Sequence, residues 1–214
     1  ALLPEAKRAA YQSAVCLYQR SYERYTRRDL APAISLQFQA EELFKQSQEF
    51  HGLYLLRGYT RLALGDSTGA VADFRTGMGL YEQRPTTPAD DNVRALYIAL
   101  AQFAAARGPA GLPEAERLLT EGRKRYPSHA PMAYALAGLY LRFERPKDAL
   151  AVLDGLAAQL PKDEELLAYR AQVAARTDHA LGAAHMAALA ELNGYRPEHP
   201  FNLAALHLAH ASQH

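Results

Sequence analysis

The sequence predicts an all-α fold, a helix-turn-helix array wound as a right-handed α-solenoid, and three observations carry that expectation. Ala115, Ala149 and Ala183 follow one another at intervals of 34 residues, each opening an apolar stripe at helical spacing, and Pro127 and Pro161 repeat at the same interval. A fixed period of that length marks stacked helix pairs, none of which can bury its apolar face alone. Small residues (Gly58, Ala101, Ala137 and Ala171) recur where the first helix of each pair must approach the second closely, among Tyr54, Tyr97, Leu100, Leu136, Tyr140 and Leu167. No stretch shows convincing two-residue strand alternation.

Taken in order, residues 5–28 and 31–48 read as two helices split by Asp29-Leu30-Ala31-Pro32, so that 1–50 forms a divergent pair or N-terminal cap. Four helix pairs follow at about 51–84, 91–126, 130–160 and 164–194. In the first of them Ala70, Phe74 and Gly77 take the second helix's contact positions. The turns inside the pairs are Leu64-Gly65-Asp66-Ser67, Arg107 to Pro113, Glu144-Arg145-Pro146 and Arg176-Thr177-Asp178. Glycine ends a helix and proline suits the first turn of the next, so this punctuation is mechanical. The second pair carries extra residues, with a turn about two longer and Arg84 to Asp90 before it. Pro197 and Pro200 introduce a last helix, Phe201 to about Ser212, and 195–214 would cap the exposed end of the array.

The 214 residues are 49% hydrophobic and 22% charged, with 24 Lys+Arg against 23 Asp+Glu for a formal +1. That balance is ordinary for a globular chain and argues against a partner whose phosphates must be neutralised, so no nucleic acid is expected. Arg20, Arg24, Arg27 and Arg28 among Tyr18, Tyr22 and Tyr25 read as a solvated helix face. Cys16, the one cysteine, cannot pair within the chain and reads as a small buried hydrophobe. No run of 18 apolar residues exists to span a membrane. The first residue is Ala1 rather than Met, which suggests a processed product or an excised segment.

Catalytic chemistry finds no foothold. The sequence has no His-Glu-x-x-His, no Gly-x-x-x-x-Gly-Lys phosphate loop, no Gly-x-Ser-x-Gly elbow and no Gly-x-Gly-x-x-Gly, and its charges read as dispersed over solvated faces. Neither enzyme activity nor a cofactor is expected. His207, His210 and His214 share one side of the last helix, which is metal-ligand spacing in principle, yet a fraying chain end holds ligands poorly. They read as a polar stripe, His185 as a packing residue, and His51 and His129 as loop residues before helices.

These features resemble the tetratricopeptide repeat superfamily over about 51–194. Within it, Asp163 to Gln172 followed by Gly182 to Gly194, with Ala184-His185 and Leu192-Asn193-Gly194, is similar to the C-terminal repeat region of periplasmic zinc metalloproteases that police outer-membrane β-barrel assembly. The missing His-Glu-x-x-His means that no protease residue carries over. The resemblance implies a non-catalytic module that binds another protein or peptide in a concave groove. The alternatives are the repeat region of such a protease, which would place it in the bacterial periplasm, or a self-associating scaffold. It also implies which side chains face the groove: Leu55, Tyr59 and Leu62; Ile98 and Gln102; Tyr134, Leu141 and Arg142; Glu165, Gln172 and Arg176. Packing between neighbouring pairs is the competing role for Leu55, Leu62, Ile98 and Leu141. Chaperone-docking relatives clamp a C-terminal carboxylate with Lys and Asn, whereas these positions offer Tyr and Gln with no Lys, so a segment held by aromatic and apolar contacts is expected instead.

Overall fold

The structure is a computed structural model and describes residues 4–83 and 90–192. Among these residues there are ten α-helices and no strand: α1 Glu5–Thr26, α2 Leu30–Gln46, α3 His51–Ala63, α4 Ser67–Gln83, α5 Asp91–Ala106, α6 Leu112–Arg125, α7 Ala130–Arg142, α8 Pro146–Ala157, α9 Glu164–Ala175 and α10 His179–Leu192. A short 3-10 turn, Gly108–Gly111, precedes α6. The helix expected at 201–212, the histidines on it, Asn193 and Gly194, and Arg84 to Ala89 lie outside the described residues. The chain forms two compact units, residues 1–106 and 107–214. The division falls inside the stretch 91–126, leaving α5 in the first unit and α6 in the second.

In the first unit α1 packs on α2, α3 pairs with α4, and α2 and α5 close over α3. Covered on so many sides, α3 is buried continuously from His51 to Gly58. The α3–α4 contact is close because Gly58 has no side chain: a Cβ there would stand 2.3 Å from Phe74 Cε1. Phe74 fills that space completely (0% exposed), with Tyr59 edge-on at 5.3 Å and Phe103 at 6.0 Å. Burying one such ring contributes roughly 1.5–3 kcal/mol. At the other end of the unit, Tyr11, Phe44, Phe50 and Tyr18 form a chain of tilted and edge-to-face rings around buried Ala14 and Leu53.

In the second unit each helix packs on the next, α6 on α7, α7 on α8, α8 on α9 and α9 on α10. The same small residue recurs at the fourth position of each pair's second helix. Ala70, Ala115 and Ala149 are all 0% exposed. In α10 that position belongs to Gly182, where a Cβ would meet Ala175 Cβ at 2.5 Å, whereas Ala183 is half-buried. The 34-residue alignment is therefore corrected by one residue in the last pair, because α9 stops one residue earlier than α7 relative to its start. Two turns take left-handed glycine at the expected places, Gly65 (φ 85°) and Gly108 (φ 72°). Glu144 (φ 56°) does the same work at the end of α7 without glycine's freedom. The segment 107–111 is two residues longer than 143–145, as the sequence predicts.

Three sequence expectations are overturned. Cys16 is exposed, because the face of α1 turned to α2 runs through Ala14 and Ser21. His51 is not a loop residue but the first residue of α3, 7% exposed, with Nε2 2.8 Å from Asp90 Oδ2 and its ring 6.2 Å from Tyr81. The charges are not all solvated either. Arg57 (4% exposed) donates through Nε and Nη2 to Asp73 at 2.7–3.1 Å, and through Nη1 to Glu41, which also accepts from Tyr54 Oη at 3.1 Å. Arg57 also stacks on Phe38 and Tyr54, 4.7 and 5.1 Å from the ring centres. Burial alone would raise the Glu41 pKa, but hydrogen bonds from Arg57, Lys45 and Tyr54 outweigh it and hold the carboxyl below its ordinary value.

Candidate partner-binding cleft

The second unit places an open cleft between α7 and α9. Tyr134 lies on the first turns of α7, after a helix start that Pro131 fits without losing a needed N–H. On α9, Asp163 caps the helix by accepting from the Leu166 N–H at 3.0 Å, which sets the phase of the residues that follow. Glu165, Ala168, Tyr169 and Gln172 then fall on one face at helical spacing. Ala168 is small, so the Tyr169 ring swings beside it and meets Tyr134 edge to face, centres 5.7 Å apart and planes at 78°. These five residues line a cavity of about 390 Å³. Burial, followed by the negative charges of Asp163 and Glu165 and then Tyr169, raises the Tyr134 hydroxyl pKa. Asp163 and Glu165 thus place negative charge beside Tyr134.

Of the expected groove residues, Tyr134, Glu165 and Gln172 are brought together here. Arg142 ends α7 two turns beyond Tyr134, exposed and 5.8 Å from the Phe143 ring centre. Arg176, exposed, caps α9 one turn beyond Gln172. Leu141 is half-buried. In the first unit, Leu55 is buried at 9% exposure and serves packing, Tyr59 is half-buried against Phe74, Leu62 and Ile98 are half-buried, and Gln102 is exposed. Tyr169 was missed, although its spacing of four from Glu165 and three from Gln172 already set it on their face.

Further along the unit, Tyr140 Oη donates to Glu116 at 2.7 Å while Arg145 reaches Glu116 and Asp148 and stacks on the Tyr140 ring at 4.5 Å. Burial and the Glu116 carboxylate push the Tyr140 pKa up to about 12. This clasp repeats the chemistry of Tyr54, Glu41 and Arg57, and it ties α6 and α7 to the start of α8. His185 is half-buried, with Nε2 3.4 Å from Arg170 Nη2, while Arg170 Nε donates to Asp154 at 2.5 Å. Among the described residues no three His, Cys, Asp or Glu side chains are grouped to hold a metal ion, and no helix is long and apolar enough to cross a membrane.

Residues 112–173 match the tetratricopeptide repeat family. That stretch carries the repeat's sequence pattern. No curated protein is detectably similar to the chain in sequence. Solved repeat structures share the fold along most of its length. A thermophilic tetratricopeptide repeat protein from Thermus thermophilus is 18% identical, with 91% of this chain and 99% of that one covered at a TM-score of 0.54. A repeat protein from Parabacteroides merdae is 14% identical, covering 92% and 73% at 0.64. YrrB, described as a repeat protein with an unusual peptide-binding site, is 19% identical, covering 72% and 73% at 0.53. Tetratricopeptide repeats are generally non-catalytic and bind other proteins or peptides.

Proposed function

We propose that this repeat array is a non-catalytic interaction module that holds an extended segment of a partner protein in the α7–α9 cleft. One observation carries the reading: Tyr134, Tyr169, Glu165 and Gln172 converge on an open cavity of about 390 Å³. An aromatic pair rimmed by polar groups gives apolar area at small conformational cost, as interface hot spots do. Arg142 and Arg176 stand at the C-terminal ends of the two helices, and the hydrogen bonds of Tyr140 and Arg145 to Glu116 tie α7 to its neighbours, which favours a surface with less ordering left to do on binding.

The test is a phage-displayed library of random nonapeptides selected on the full chain, followed by titration of the recovered peptides, made synthetically with a fluorescein label. Against the Tyr134→Ala/Arg142→Ala pair, affinity should fall at least tenfold while far-UV ellipticity stays unchanged. Equal affinity for wild type and variant, or a library that yields no binder, overturns the assignment.

A further inference from the structure

The carboxylates of the second unit are largely engaged. Glu116 accepts from Tyr140 and Arg145, Asp154 from Arg170, and Asp163 from the Leu166 N–H. Glu165 differs. It is exposed, stands on the rim of the tyrosine cleft, and has no hydrogen bond or ion pair with any described residue. Arg170, the cation adjoining Tyr169 in sequence, is held by Asp154 and lies toward His185. None of the five lining residues is cationic. The cleft thus combines a carboxylate with no partner among the described residues, the side-chain amide of Gln172 and two half-buried tyrosines that both line it. Aromatic faces attract cations through their quadrupole, and a carboxylate at the rim adds a charge-assisted acceptor. A carboxylate brought to the same rim would be repelled by Glu165.

We propose that the cleft between Tyr134 and Tyr169 is a receptor for a cationic side chain, lysine or arginine, on an exposed segment of the partner protein, an inference that rests on the groove assignment above. Glu165 receives the charge, the aliphatic stem lies against the touching pair of rings rather than between them, and Gln172 accepts one remaining N–H. Arg176, one turn beyond Gln172 on α9, repels a second cation there and so favours a segment whose positive charge lies at one end.

Three pools of fluorescein-labelled nonapeptides, randomised except for Arg, Gln or Glu at the central position, are titrated against the full chain and its Glu165→Gln and Tyr134→Ala variants by anisotropy. The Arg pool should bind at least fivefold more tightly than the Gln pool and tenfold more tightly than the Glu pool. Glu165→Gln should erase the difference between Arg and Gln. If the Arg and Gln pools bind alike and both weaken in Tyr134→Ala, the cation proposal falls while the groove stands. An Arg preference that survives Glu165→Gln overturns the proposal as well. If no pool depends on Tyr134, both readings fall together.

Discussion

Gly58 shows how one atom sets a helix-helix distance. Alanine is the better helix former by about 1 kcal/mol, yet a Cβ at this position would lie 2.3 Å from the Phe74 ring. Gly58→Ala is therefore expected to destabilise the chain by about 1–3 kcal/mol through overpacking, read as a lower denaturation midpoint; a rise would show that Phe74 repacks freely. Asp73 makes the opposite point, since it matters for what it neutralises. With 4% of Asp73 and 4% of Arg57 exposed, Asp73→Ala leaves a buried guanidinium with Glu41 alone. A cost of about 3 kcal/mol is expected in urea unfolding. A loss below about 1 kcal/mol would mean that water reaches Arg57. This network was hidden in the sequence because helical periodicity puts Arg57 and Asp73 on inward faces without saying that they face each other.

Among the elements, α10 carries a histidine, His185, whose packing is sensitive to pH. Burial first and the Arg170 charge second lower the His185 pKa, with Asp154 opposing. A histidine held below its ordinary value of about 6.5 binds its proton more readily in the unfolded chain, so its contribution to stability is present above that value and is lost as pH falls toward the lowered one. Thermal midpoints of wild type should therefore drop between pH 7.5 and 5.5 by more than those of His185→Gln. Parallel drops would assign the sensitivity elsewhere. The helices themselves were legible from their apolar stripes and their Gly and Pro punctuation. The register of α10 was not, because a run of Gly182, Ala183 and Ala184 offers three small residues and only the approach of Ala175 selects Gly182.

At the scale of the molecule, the two units each own a core, around Phe44, Leu53, Phe74 and Tyr97 in the first and around Met132, Leu153, Leu166 and Met186 in the second. A fragment of residues 1–106 should fold alone, with a helical spectrum and a cooperative melt in circular dichroism; a featureless melt would show that its core is incomplete. Repeat arrays allow this because stability comes from each helix and its neighbours rather than from distant contacts. The sequence by itself determined the all-helical repeat, its punctuation, the longer turn at 107–111 and the inward small residues, since all of these follow from local backbone preference and a 3.6-residue period. Only the tertiary structure decided that Tyr169 joins Tyr134, that Glu165 has no counter-ion among the described residues, and that Arg57, Asp73 and Glu41 form one buried network. A period tells which face of a helix turns inward. Which side chain of another helix arrives to meet it is settled by packing in three dimensions.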